Sequence, residues 1–277
     1  MGEKISYIKG KWVYLVIIFL LLLIIPLILH IFHGQGNEKI EYGNEFINTL
    51  SENNIIKREN KKIRFNIEKR NLEKSDEEIY LLKSKLYMIE INKDNKIISF
   101  VDKRKTDNKI NITLDESVKI AKKYINKIDG SNYKLKEIDK NYTNKDSNFY
   151  SVIFLKYEEG YPYFSQEVIL NINKNTGKLQ GYINKTKNSD HESIKINISK
   201  NNAEKIALNF FNKVQKEGNI KTNSYLAFCN SAQNERLELA YVVEVSNEKT
   251  DKIFFISAKS GKIINIISNV IDKIEVK

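Results

Sequence analysis

The sequence predicts an α+β fold in which an N-terminal transmembrane helix is followed by tandem modules, each a helix packed on a small antiparallel sheet. Three observations support this prediction. Residues 12–29 form an uninterrupted apolar run. Residues 110–128 and 196–214 align without a gap, and both place apolar residues at helical spacing. A strand–turn–strand pattern occurs twice, with turn glycines at Gly177 and Gly261.

Composition bounds the classes of function. The chain has 277 residues, which suggests one to three domains, and a hydrophobic fraction of 41%, which is enough for ordinary cores. Its formal net charge of +11 favours anionic surroundings. Nucleic acid, anionic lipid headgroups and acidic cell-wall polymers all satisfy this condition, so the charge alone does not choose between them.

The apolar run predicts a membrane-spanning helix over residues 12–32. At 1.5 Å per residue, about 20 residues cross a hydrocarbon core of about 30 Å. A cleaved signal peptide would have a shorter apolar region followed by small residues in an A-x-A-like pattern. Here "HIFHGQGNE" follows instead, and the single cysteine, Cys229, is too distant to carry a lipid anchor. The sequence therefore predicts an uncleaved anchor.

Lysines near the apolar run predict its orientation. Lys4, Lys9 and Lys11 precede it, whereas Lys39 alone occurs in the first twenty residues after it. By the positive-inside rule, residues 1–11 form a cytoplasmic tail and the C-terminal part is extracytoplasmic. This location at the cell membrane argues against nucleic acid as a partner and leaves contacts with anionic lipid or wall polymer open.

Two helices begin at recognisable caps. Thr113 and Glu116 have the spacing of a capping box, and Ser199 is the corresponding N-cap in the second copy. In the middle of each helix stands a small residue, Ala121 or Ala207, which would allow close approach to a sheet.

β-rich runs follow each helix. They read "FYSVIFLKY", "EVILNI" and "KLQGYI" in one copy, and "LAYVVEV", "KIFFISA" and "KIINIIS" in the other. Alternation of apolar and polar residues predicts antiparallel strands with one solvated face. The glycine in each turn supplies a positive φ for a tight connection, so we predict that each strand–turn–strand is the edge hairpin of its module.

These elements divide the ectodomain into two predicted modules, residues 108–190 and 191–277. Residues 33–107 form a membrane-proximal region whose stretch "LYMIEINKDNKIISF" has the same strand–turn–strand form. A candidate helix and a β run precede that stretch. The region is therefore predicted to be a degenerate first module, with an extended stalk as the alternative.

Catalytic and metal-binding motifs are absent from the sequence. It contains no H-E-x-x-H, C-x-x-C or G-x-S-x-G pattern, and His191 is the one histidine far from the membrane segment. Nothing around Cys229 or His191 favours a catalytic dyad, and Cys229 is best interpreted as a small buried hydrophobe. The prediction is a protein that is not an enzyme, with no catalytic residue, cofactor or metal.

The stretches "LDESVKIAKKYI", "INKNTGKLQGY" and "FFISAKSGKII" resemble PepSY and PepSY-like domains, which occur in thermolysin-type propeptides, YcdB/YcdC-type repeats and the germination protein YpeB. The resemblance covers roughly residues 108–270. Asn173 and Ser257 stand where the family often has Asp, and Ser260 replaces its Thr. A second resemblance is to the YycH/YycI accessory proteins of a cell-wall sensor kinase.

The PepSY resemblance implies a membrane-anchored extracytoplasmic regulatory or inhibitory protein that binds a protein partner in the cell envelope, such as a peptidase or a cell-wall hydrolase. The second resemblance implies an accessory regulator of a membrane sensor histidine kinase. A cell-wall polymer binder or an unrecognised enzyme is a third alternative. The resemblance implies no cofactor in any of the binding functions.

Aromatic residues are concentrated in "YEEGYPYF", residues 157–164, between two predicted strands. The corresponding "VSNEKTDKI" of the second copy has none, so the fold does not require them. Aromatic side chains often anchor protein interfaces. We therefore predict that Tyr161, Tyr163 and Phe164 contribute to a partner surface; the alternative is that their rings fold back onto the sheet.

Overall fold

A computed structural model describes residues 36–59, 63–71, 78–107, 109–130, 132–138, 147–215, 217–231 and 236–269. The predicted cytoplasmic tail and transmembrane helix lie outside the described residues. Within these ranges, no helix is both long enough and apolar enough to span a bilayer.

The described residues form a mixed α+β structure in which a helix followed by antiparallel strands occurs three times along the chain. The first module contains helix α1 (36–52) and strands β1 (Asn66–Asn71), β2 (Glu78–Lys83), β3 (Tyr87–Asn92) and β4 (Ile97–Asp102). The second contains α2 (Leu114–Ile128), β5 (Tyr133–Ile138), β6 (Phe149–Glu158), β7 (Tyr161–Asn173) and β8 (Leu179–Asn184). The third contains α3 (Lys200–Val214), β9 (Asn219–Ile220), β10 (Tyr225–Cys229), β11 (Glu238–Ser246), β12 (Asp251–Ser257) and β13 (Ile263–Asn269). The described residues between positions 36 and 102 thus form a helix and four strands.

The helices α2 and α3 begin as their sequences predict. The Thr113 side chain accepts a hydrogen bond from the Glu116 amide, and the Glu116 carboxylate accepts one from the Thr113 amide at 2.7 Å. The Ser199 hydroxyl accepts a hydrogen bond from the Asn202 amide at 3.3 Å. Ala121 and Ala207 are both fully buried. The polar caps therefore start each helix, and the small residue in its middle packs against the sheet.

All thirteen named strands belong to one sheet, whose main order is β1-β2-β3-β4-β8-β7-β10-β11-β12-β13. Outside this order, β6 pairs with β7, β5 pairs with β6, and β9 pairs with β11. Antiparallel pairing of β4 with β8 joins the first module to the second. Parallel pairing of β7 with β10 joins the second module to the third. Within its own module each strand–turn–strand unit is the last hairpin, as the sequence predicts. In the continuous sheet, however, only β12 and β13 lie at the edge of the described strands, because β4 of the first module covers the outer side of β8.

The first two modules share one hydrophobic core. It includes Leu50 of α1, Tyr87 and Phe100 of the first sheet segment, Ala121 of α2 and Tyr182 of β8. The third module has a separate core beneath α3 and a smaller apolar cluster on the opposite face of its strands. The second and third modules are therefore joined mainly where β7 meets β10.

The two turn glycines adopt the positive φ that the sequence predicts, 68° at Gly177 and 72° at Gly261. The Asn173 side-chain oxygen accepts hydrogen bonds from the Asn175 and Thr176 amides, and the Ser257 hydroxyl accepts one from the Ser260 amide. Asn173 and Ser257 thus close their turns with the side-chain oxygen that Asp would supply in a PepSY domain.

Candidate functional site at the junction of the second and third modules

The aromatic stretch predicted to bind a partner lies at the hairpin between β6 and β7. Glu158 pairs with Tyr161, which leaves Glu159 and Gly160 as a two-residue loop. Both loop residues have positive φ, 49° and 90°. This is the geometry of a type I′ turn, whose twist matches that of the flanking strands. Tyr161 therefore begins strand β7 and does not belong to a loop.

A large bulge then displaces β7 from β6. The strand pairs on either side of it are Tyr157 with Pro162 and Leu155 with Glu167, so Lys156 alone lies opposite residues 163–166. Ser165, inside the bulge, has a left-handed φ of 61°. Bulges re-aim side chains and bend a strand. Here the bulged segment leaves β6 and reaches the third module, where Tyr163 pairs with Phe228 of β10.

The three predicted partner residues are packed against the third module. The Tyr163 ring is fully buried and lies 5.1 Å from the Phe228 ring, and the Tyr161 ring lies 6.2 Å from the same ring. Phe164 makes an edge contact with Phe255 at 4.7 Å. For Tyr163 the structure has the alternative arrangement, in which the ring is turned into the protein, because the bulge directs it into the core. Binding of an external partner by the half-buried Tyr161 and Phe164 stays a prediction.

A polar cavity of about 620 Å³ opens beside this contact. Tyr163, Glu158 and Lys156 come from the β6–β7 hairpin, whereas the other lining residues come from the segments that lead into α3 and β11. Those residues are Asn188, Ser189, Asp190, His191 and Arg236. Segment 190–192 is held by backbone hydrogen bonds to Leu237, beside β11. The cavity is thus built by both modules.

The Glu158 carboxylate lies at the centre of the interactions in this cavity. It accepts a hydrogen bond from the Tyr163 hydroxyl, and its other oxygen lies 3.9 Å from His191 Nε2. Burial, and then the bond to Glu158, raise the pKa of Tyr163 above its ordinary value. The Lys156 ammonium lies 4.5 Å from the centroid of the Tyr163 ring. Tyr163 is therefore a neutral hydrogen-bond donor fixed in one position.

His191 is oriented by its neighbours. Its Nδ1 lies 2.8 Å from the Glu192 carbonyl oxygen, which can only accept, so Nδ1 carries a proton. Its ring stacks on Phe228 at 4.1 Å. Within the described ranges, no hydroxyl or thiol is hydrogen-bonded to this imidazole. The geometry does not assemble the nucleophile–base pair that covalent catalysis requires.

Cys229 is not available to His191. The thiol is 2% exposed and belongs to the apolar cluster on the face of β10 opposite Phe228, on which His191 stacks. Burial raises the pKa of the Cys229 thiol, which disfavours the reactive thiolate. Among the residues that the structure describes, no cluster of His, Cys, Asp and Glu could hold a metal ion.

The cavity therefore has the chemistry of a recognition site. Lys156 and Arg236 supply positive charge, and Glu158 and Asp190 supply negative charge, around a buried aromatic floor. Such a lining suits a polar peptide segment that carries both charge signs. Sequence reasoning did not find this site, since its residues are scattered between positions 156 and 236. The nearest signals were the stretch "YEEGYPYF", which contains Glu158 and Tyr163, and the isolated His191.

Comparison with known proteins supports the fold. No protein-family model matches the sequence, and no curated protein is significantly similar to it. Among solved structures, the chain is similar to the Bacillus megaterium YpeB C-terminal domain, with a TM-score of 0.52 and 17% identity, over 84% of this chain and 96% of that chain. At this identity the likeness is one of fold, and it supports the predicted PepSY-like character without a more specific family.

Proposed function

We propose that this chain is an extracytoplasmic regulatory protein of PepSY type, anchored in the cell membrane by residues 12–32. It binds and regulates a protein of the cell envelope, a peptidase or a cell-wall hydrolase. The observation that carries the proposal is the likeness in fold to the YpeB C-terminal domain over 84% of the chain. The tandem arrangement of helix-and-sheet modules agrees with it.

The cavity at the junction is the proposed recognition site for the partner. Two of its charged groups, Glu158 and Lys156, are held by contacts with Tyr163, so little entropy of these side chains is lost on binding. The half-buried Tyr161, whose ring contacts Phe228, lies on the same face of β10 as His191 and supplies aromatic surface, whereas Phe164 packs against Phe255 on the opposite face.

Membrane anchoring is tested by topology. A reporter enzyme fused after Lys277 should be active outside the membrane, and protease added to intact protoplasts should remove the ectodomain. A C-terminus that stays protected from protease until the membrane is permeabilised would contradict the proposed location.

Partner binding is tested by cross-linking in intact cells and recovery of the full chain. Arg236→Glu should reduce recovery of the envelope enzyme without changing the melting temperature, because the side chain lines the cavity at its surface. Lys252→Glu, on β12 and away from the cavity, is the matched control and should recover the partner normally. Equal recovery by both variants would remove the cavity from the proposal.

A replacement of residues 12–32 by an unrelated apolar helix separates this function from the kinase-accessory alternative. A tethered binding protein should keep its partner and its regulatory effect after the exchange. A kinase accessory works through lateral packing of its own span, and so should lose its effect.

A further inference from the structure

The last strand of the third module lacks the neighbour that its counterpart in the second module has. Strand β13 corresponds to β8, because the turn glycines that precede them, Gly177 and Gly261, are 84 residues apart (261 − 177 = 84). In β8, Leu179 and Tyr182 are each 1% exposed: Tyr182 pairs with Phe100 of β4, and the Leu179 amide donates to the Ile55 carbonyl of the first module. Their counterparts Ile263 and Ile266 are partly exposed. Among the described residues, no strand pairs with the outer side of β13.

Helix α3, which packs on β11 and β12, shows the same difference. Tyr124 and Ile128 of α2 are half-buried and pack against the core shared by the first two modules. At the equivalent positions of α3, 86 residues later, Phe210 is 39% exposed and Val214 is 58% exposed. The third module therefore exposes an apolar surface that the second module buries.

The first two modules show how such a surface is covered. Phe100 of β4 pairs with Tyr182 of β8. The two residues hold equivalent positions in their modules, since each is the fourth residue after the lysine that follows the turn, Lys96 in one and Lys178 in the other. The flanking pairs are Ser99 with Ile183 and Val101 with Gly181. Each position in one strand thus faces its mirror position in the other. The modules meet about a local two-fold axis through Phe100 and Tyr182, which is the symmetry of an isologous dimer.

Contacts across this axis involve helices as well as strands. The Phe46 ring of α1 lies 5.8 Å from the Phe100 ring of its own module and 5.9 Å from the Tyr182 ring of the second. A backbone hydrogen bond of 2.9 Å joins the Leu179 amide to the Ile55 carbonyl. The helix side of one module therefore covers the last strand of the other.

The charge pattern of the edge strands distinguishes β13 from the others. β1 carries Glu68, Lys69 and Arg70, and β5 carries Lys134, Lys136 and Glu137. Charges on an edge strand oppose pairing with another chain. β13, with the sequence IINIISN, carries none. Antiparallel pairing of β13 with β13 of a second copy therefore brings no like charges together.

We propose that two copies of this chain associate through antiparallel pairing of β13 with β13, with Ile266 on the two-fold axis. The pairing repeats the geometry by which β4 meets β8. It places the two α3 helices on the same face of a continuous sheet, where Phe210 and Val214 of each copy cover the last strand of the other. A second copy is the occupant that this surface fits, because the surface is self-complementary in register and in charge.

A cysteine at the proposed axis tests the pairing directly. The full chain carrying Ile266→Cys should form a covalent dimer when membranes are treated with diamide. The native Cys229 is buried, so the unmodified chain should remain monomeric on a non-reducing gel. Leu135→Cys, at an apolar position on the charged β5 edge that is more exposed than Ile266, is the control and should give no dimer. Equal cross-linking at both positions, or none at Ile266→Cys, would overturn the proposal.

A second measurement does not depend on disulfide chemistry. The purified full chain should sediment as a dimer in detergent, and the double variant Asn265→Lys, Ile267→Lys should sediment as a monomer with an unchanged circular dichroism spectrum. Leu135→Lys on β5 should leave the dimer intact. A dimer that persists in the double variant, or a wild-type chain that is monomeric because another segment occupies β13, would contradict it.

Discussion

Tyr163 connects two modules through a single side chain. It belongs to β7 of the second module, but its ring lies in the core beneath α3, against Phe228. Its hydroxyl donates to Glu158, so the polar end of the buried ring is satisfied. Tyr163 therefore packs its ring against the third module and holds its hydroxyl on Glu158. Loss of this side chain should weaken the contact between the two modules.

We expect Tyr163→Ser to lower the free energy of unfolding by about 3–5 kcal/mol, since a fully buried aromatic ring is lost. Tyr163→Phe should cost only about 1 kcal/mol, the net value of one hydrogen bond. Tyr161→Ser is the control, because its ring is half-buried. Chemical denaturation of the three variants measures the differences. Similar values for Tyr163→Ser and Tyr161→Ser would show that the junction does not depend on Tyr163.

Asp129, at the C-cap of α2, is a partly buried carboxylate that accepts a hydrogen bond of 2.7 Å from the Tyr182 hydroxyl. Burial raises the pKa of Asp129 above its ordinary value of 3.8. The folded state therefore binds the carboxyl proton of Asp129 more tightly than the unfolded state does. Protonation of Asp129 thus stabilises the fold below pH 3.8, and this stabilisation is lost as the pH rises through the pKa of the folded state.

At neutral pH the Asp129 carboxylate is ionised, and its partial burial costs free energy of folding. Replacement of Asp129 by Asn should remove this cost, and the amide oxygen can still accept the hydrogen bond from Tyr182. We expect the variant to be more stable than the wild type at pH 7, with a difference that shrinks as the pH falls toward 4. Melting temperatures of both proteins across this range measure it. A variant that is less stable at pH 7 would show that ionised Asp129 is favoured by its neighbours.

Helices α2 and α3 are elements whose structure follows from short stretches of sequence. Thr113, Glu116 and Ser199 are caps that depend only on residues within one turn, and the apolar spacing defines the buried face. The turns at Gly177 and Gly261 are equally local. These features were predictable because each interaction joins residues close together in the chain.

Pairing between modules was not predictable in the same way. The β4–β8 pairing and the bulge at residues 163–166 depend on which distant strand is adjacent, and nothing in the local alternation specifies that neighbour. The sequence therefore predicted the β7–β8 hairpin but not its interior position. It identified the aromatic residues at the junction but not the direction in which Tyr163 points, so the cavity beside it was missed.

Each predicted helix face can be tested by introducing one charge. Ala121→Asp and Ala207→Asp should each destabilise the protein by roughly 3–5 kcal/mol, because an unpaired carboxylate would be buried against the sheet. Lys122→Asp, on the exposed face of α2, should change stability little. Denaturation midpoints of the three variants are the measurement, and a silent Ala207→Asp would mean that α3 does not pack closely.

At the scale of the whole molecule, the cores divide the chain unequally. The first and second modules contribute to one core, whereas the third has its own and is joined to them through β7 and β10. Local unfolding follows cooperative units that share buried contacts. The chain should therefore behave as two units, with the first two modules forming one of them.

Hydrogen exchange can show this division. Phe100→Ala, in the shared core, should raise amide exchange in α2, although the substituted residue belongs to the first module. Exchange in α3 should change much less. Phe254→Ala, in the core of the third module, is the reciprocal control and should affect α3 first. Equal acceleration of α2 and α3 by Phe100→Ala would indicate that all three modules unfold together.

The pairing of β4 with β8 also affects the order in which the protein can fold. During synthesis, β4 and the carbonyl of Ile55 emerge long before Leu179, whose amide donates a hydrogen bond to that carbonyl. Non-local pairing of this kind must wait for the intervening chain, and until then an apolar strand edge is open to other chains. The first module therefore has to be protected, or to remain incompletely folded, until residue 184 has appeared.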